Sequence, residues 1–116
     1  MRGILKFEDI LSWQKSKELV LKIYRLFENS NDFGFKNQIE RASVSVMNNI
    51  AEGFERQTNN EFRHFLFVSK GSVGEVRSML YLALDLNKIS QEEFEELYQL
   101  TIDISRLLSG FIKKLH

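Results

Sequence analysis

Gln38, Arg41, Ser45, Asn49, Glu52 and Arg56 recur at intervals of three and four residues. On a helix that spacing collects an arginine, an amide and a carboxylate on one stripe. Beside it runs an apolar stripe of Phe35, Ile39, Ala42, Val46, Ile50 and Gly53. A second polar group lies further along the chain. Glu75 falls in an arc bounded by Val68, Met79 and Leu82, where an unpaired carboxylate is costly, and Ser72 lies on the same side. Arg41 is the natural counter-charge, because a guanidinium holds a carboxylate bidentately. Arg41, Asn49, Glu52, Ser72 and Glu75 are therefore expected to form a buried polar network between two helices. Such a network fixes helix register and does no catalysis.

Three other chemistries compete for these residues. The first is a carboxylate-bridged metal centre in a helical bundle, using Glu52, Glu75 and His64. Two-iron bundles draw on four glutamates, two of them in Glu-x-x-His pairs. This chain has one such string, Glu61-Phe62-Arg63-His64, and its only other histidine is His116. Glu61 is better explained as part of a helix cap. The second is nucleophilic catalysis, which lacks support because the chain has no cysteine and His64 has no partner in the pattern. The third is phosphate transfer, but Lys70-Gly71-Ser72 and its flanks lack the P-loop spacing. No catalytic residue, cofactor or metal is assigned, and the chain is expected not to be an enzyme.

The elements that position these residues are four long helices. The chain has 116 residues, enough for one domain over residues 1–116 with a single core. Hydrophobic residues make up 43% and charged residues 28%, a globular composition. Proline is absent, which permits long uninterrupted helices. The first helix, roughly 8–29, carries Ile10, Trp13, Ser16, Val20, Ile23 and Phe27, widened by Leu19 and Leu26. A break rich in turn residues, Asn29 to Gly34, precedes a second helix at roughly 35–56. Thr58-Asn59-Asn60-Glu61 and Ser90-Gln91-Glu92-Glu93 read as capping boxes. They open helices at roughly 59–86 and 91–115. The third helix buries Phe62, Phe65, Leu66, Ser69, Val73, Val76, Leu80 and Leu84. The fourth buries Phe94, Leu97, Thr101, Ile104, Leu108, Phe111 and Leu115. Its acidic start and basic end, Lys113, Lys114 and His116, both complement the helix dipole. Short connections make sequential neighbours antiparallel, so the expected fold is all-α, an antiparallel up-down-up-down four-helix bundle.

Two of these helices carry more apolar surface than one core needs. Val44, Met47, Ala51 and Phe54 lie off the core face of the second helix, and Val68, Met79, Leu82 and Leu86 extend that of the third. These eight residues are expected to form an oligomer interface. Gly53, Gly71 and Gly74 allow close approach of another backbone.

Charge and composition bound the partners. The 16 basic residues balance 16 acidic ones, which excludes coating nucleic acid by bulk charge. In a ring, however, one protomer's modest basic patch repeats around the axis, and weak phosphate contacts add. Association with RNA is thus open to this chain. No apolar run approaches the roughly 18 residues of a membrane span. The opening M-R-G-I-L-K-F-E-D-I has no long apolar segment, so no signal peptide is expected. Together with the absence of cysteine, this points to a cytoplasmic protein.

The assembled segments resemble a known family, the small bacterial four-helix bundle proteins encoded within intervening sequences of 23S ribosomal RNA genes. The resemblance rests on F-E-D-I-L-S-W-Q-K-S at Phe7–Ser16, on Q-I-E-R-A-S-V-S-V-M-N-N-I-A-E-G at Gln38–Gly53, and on E-F-R-H-F-L-F-V-S-K-G-S-V-G-E-V at Glu61–Val76. The last contains the family's Gly-Ser-x-x-Glu signature. Met47 departs from the pattern, where a proline is common, so a straighter helix is expected. The resemblance implies an up-down bundle that assembles into a ring, a homopentamer. More distantly, the chain is similar to the accessory protein of diversity-generating retroelements, a pentameric bundle that binds nucleic acid and a reverse transcriptase. That relative is markedly basic and this chain is neutral.

Overall fold

The computed structural model describes residues 3–115; Met1, Arg2 and His116, the last of which was counted in the basic end of the fourth helix, lie outside them. The four helices are α1 (Leu11–Leu26), α2 (Phe33–Phe54), α3 (Asn59–Asp85) and α4 (Gln91–Lys114), preceded by one 3₁₀ turn at Phe7–Asp9. Each helix packs against its neighbour in sequence, and α4 closes against α1. The result is an all-α, up-down-up-down four-helix bundle measuring 45 × 22 × 19 Å.

Local chemistry sets most helix ends. Asp32 caps α2 by accepting from the Phe35 amide. Lys88 binds the same carboxylate at 3.0 Å, tying the α1–α2 loop to the α3–α4 loop at one end of the bundle. The Lys88 ammonium, and then the Phe35 amide, hold the Asp32 carboxyl below its ordinary pKa. At the end of α3, Asn87 adopts φ 58°, and the amides of Lys88 and Asn87 donate to the carbonyls of Ala83 and Leu84. This is a Schellman stop, with asparagine tolerating the left-handed region. Ser90 and Glu93 form the full capping box of α4, side chain to backbone in both directions. At Thr58 the box is half made: its hydroxyl accepts from the Glu61 amide and donates to the Glu61 carboxylate. Ser90→Ala should cost about 1 kcal/mol, read as a lowered urea midpoint at unchanged slope.

The first helix differs from its expected bounds. Ile10 is extended, with ψ 122°, and separates the 3₁₀ turn from α1. The bend buries Ile10 to 2% exposure and sets Phe7 edge-on to Trp13 at 5.2 Å. At the other end Phe27 leaves the helix and its ring packs against Phe35 at 5.5 Å. In both places burying an apolar side chain at the bundle's end outweighs one more helical turn.

The apolar stripes form one continuous core. Leu19, Ile23, Ile39, Val46, Ile50, Phe62, Leu66, Val73, Leu80, Ile104 and Leu108 are fully buried in it. Trp13, Phe65, Leu84 and Phe111 flank this centre at half burial.

Candidate functional site

The α2–α3 seam is closely packed because its residues are small. A side chain built on Gly53 would come within 2.7 Å of the Phe65 Cβ and 2.9 Å of the Phe62 ring. The close approach inferred at Gly53 is therefore to α3 of the same chain. Further along, the Ser69 hydroxyl donates to the Val46 carbonyl at 2.7 Å. The Ser45 and Ser72 hydroxyls meet at 2.9 Å, and the Asn49 amide donates to the Ser45 carbonyl and hydroxyl. These contacts satisfy polar atoms along the seam.

The structure brings together only part of the expected network. Asn49 and Ser72 meet through Ser45. Arg41 and Glu75 are exposed, line the same open depression with Ser45 and Ser72, and form no ion pair among the described residues. Glu52 instead pairs with Arg56 one turn on, at 2.7 Å. Glu75 escapes burial because Val68 and Leu82, which bound its arc, are themselves 40% and 48% exposed. Arg41→Met in the protomer should then change stability by no more than about 0.5 kcal/mol in urea denaturation, since no buried charge is stranded.

Glu52, Glu75 and His64 do not assemble into a metal centre. Glu75 lies eleven residues along α3 from His64, roughly 16 Å on a helix. Among the described residues no group of three or more histidine or acidic side chains is placed to hold a metal ion. The His64 ring lies edge-on to Phe65 at 5.4 Å.

The eight expected interface residues fall into three places. Phe54 and Met79 are 9% and 7% exposed and belong to the protomer's own core, where Phe54 packs edge-on to Phe62. Val44, Met47 and Ala51 are half-buried along one flank of α2. Val68, Leu82 and Leu86 are exposed on α3, at 40%, 48% and 53%. Residues 68, 72, 75, 79, 82 and 86 alternate spacings of four and three, the period of a seam between two helices. Between the two patches runs the polar row of Arg41, Ser45 and Glu52, one hundred or so degrees around α2 from Val44. The surplus apolar surface is thus two separate patches. At Gly71 and Gly74 an added side chain would meet nothing within 4 Å, so neither serves packing within the protomer.

A second row on α3 was not singled out from the sequence. Arg63, Lys70 and Arg77 stand at intervals of seven residues, interleaved with Phe67, Gly74 and Tyr81. The six residues share one stripe on the flank toward α4. Phe67 and Tyr81 are 52% and 50% exposed, and none of the three cations forms an ion pair among the described residues. The Arg63 Nε is buried without a hydrogen-bond partner. Tyr81 packs against Phe94 and Tyr98, and the neighbouring Tyr98 phenol raises its pKa. The seven-residue spacing was legible, but it is hidden when basic residues are counted over the whole chain.

No helix among the described residues is long and apolar enough to cross a membrane. The family described as 23S rRNA-intervening sequence protein matches residues 8–110. Among solved structures, the chain is similar to a protein of unknown function from the S23 ribosomal protein family of Bacteroides thetaiotaomicron. The TM-score is 0.83 and the identity 25%, over 89% of this chain and 99% of that one. No curated protein matches the sequence.

Proposed function

Because the chain belongs to the 23S rRNA-intervening sequence protein family, we propose that it is a non-enzymatic bundle that assembles into a ring, a homopentamer, and acts as a scaffold for RNA or for an enzyme of nucleic acid. The observation that carries the reading is the pair of separate apolar patches on one protomer. A two-fold dimer needs one self-complementary patch, whereas a head-to-tail ring needs two different ones that fit each other. Val44, Met47 and Ala51 on one protomer and Val68, Leu82 and Leu86 on the next are such a pair.

The basic and aromatic row of α3 supports the nucleic-acid part. Cations track a phosphate backbone, and exposed rings offer stacking surfaces to unpaired bases. One row from a neutral protomer binds weakly, but repetition around a ring adds the contacts. The protein should bind single-stranded RNA in fluorescence anisotropy at low salt, with affinity falling steeply as salt rises. Replacing Arg63, Lys70 and Arg77 together by glutamine should weaken binding by roughly tenfold or more, since three phosphate contacts are lost. Absence of binding at low salt, or affinity unchanged in the triple variant, contradicts this role.

A further inference from the structure

At one end of the bundle, between the start of α1 and the last turns of α4, lies a cavity of about 390 Å³. That is the size of a small-molecule site, typically ~300–1,000 Å³. Ile10, Phe54, Leu107 and Phe111 make its walls apolar. Two cations, Arg106 and Lys114, stand on its α4 side, and neither forms an ion pair among the described residues.

The α1 side offers hydrogen-bond donors. Ile10 is the N-cap of α1 and has no side-chain acceptor, so the first turn is uncapped by its own sequence. A helix start in that state favours an anion. Ser12, in this turn, lines the cavity at 2% exposure, and its hydroxyl has no hydrogen-bond partner. A helical serine ordinarily donates to the carbonyl four residues back, as Ser16 does to Ser12. For Ser12 that carbonyl is Glu8, which instead accepts from the Gln14 side chain at 2.9 Å. A buried hydroxyl left without a partner costs stability unless a ligand supplies one.

We infer that this cavity binds a small amphiphilic monocarboxylate, its apolar body inside and its head between Arg106, Lys114 and the first turn of α1. Asp9 also lines the cavity, so two positive charges against one negative leave a single positive charge. That balance matches a monoanionic carboxylate better than a dianionic phosphate. Gly110 completes the fit: it lines the cavity, and a side chain added there would meet nothing within 4 Å. A glycine in the interior of a helix is unfavourable, and here it leaves the space open.

The test is calorimetric titration of the full-length protein with decanoate, with decanol as the probe that lacks the anionic head. Decanoate should bind saturably, once per protomer, and more tightly than decanol. Gly110→Leu, which fills open space and favours the helix, should weaken decanoate roughly tenfold or more. The double variant Arg106→Gln and Lys114→Gln should do the same, and thermal melts should show both variants folded. The inference is overturned by any of three results: no saturable binding, decanol binding as tightly as decanoate, or decanoate affinity unaffected by Gly110→Leu. Assembly state does not enter the comparison, so its outcome is independent of the ring.

Discussion

Phe62→Ala should destabilise the protomer by about 3–5 kcal/mol, the cost of emptying a large aromatic site that cannot collapse. Phe62 is fully buried. Its ring meets Phe54 at 5.9 Å and Phe111 at 5.1 Å, both edge-on. It thereby joins α2, α3 and α4 where Gly53 lets α2 and α3 pack closely. A domain of this size has a total stability of about 5–15 kcal/mol, so the variant should be near its unfolding midpoint at modest urea. The complementary change is Gly53→Ala. Helix propensity alone favours it by about 1 kcal/mol. The added methyl would nevertheless sit 2.7 Å from the Phe65 Cβ and 3.3 Å from the Phe62 carbonyl oxygen, neither of which can swing away. Overpacking of this kind costs about 1–3 kcal/mol, so the net effect should be destabilising. A stabilised Gly53→Ala protein would show that the α2–α3 seam is looser than described.

How far the sequence could be read follows from which forces are local. The cap at Ser90 and the stripes of α2, α3 and α4 depend on neighbours three or four residues away, and the pattern displays them. The extended Ile10 depends on a hydrophobic site at the bundle's end, which no local pattern reveals. Glu75 was expected to be buried because its helical neighbours are apolar. Two of them, Val68 and Leu82, face outward with it, so in the protomer the carboxylate is solvated. Phe54 and Met79 were expected on the outside because they fall off the centre of their stripes. They are buried because neighbouring helices extend over the flanks, as the ring of Phe62 does over Phe54. Ser45 lay on the polar stripe, yet its bond to Ser72 comes from the close approach of two helices, which serine and glycine content only suggests. The empty space beside Gly110 has no sequence signature beyond a glycine in a helix.

If the proposed ring forms, Leu82→Glu should convert it to protomers. Leu82 is 48% exposed on the ridge of α3, between Val68 and Leu86. In an isolated protomer the change is a surface substitution, worth no more than about 0.5 kcal/mol. In a ring it would bury an unpaired carboxylate against Val44, Met47 and Ala51 of the neighbour, which costs several kcal/mol per interface. The two effects differ enough to separate folding from assembly: circular dichroism should be unchanged while the mass falls. Leu21→Glu on α1, at a residue 43% exposed in the protomer and outside both patches, should leave the mass as it is.

The central claim is that this bundle exists as a ring of copies of itself. Light scattering coupled to size exclusion, at micromolar concentration, measures the mass without reference to shape. The unaltered protein should elute at a multiple of the 13.7 kDa protomer, five being the expected number, and Leu82→Glu at one. A mass of 13.7 kDa for the unaltered protein would contradict the account.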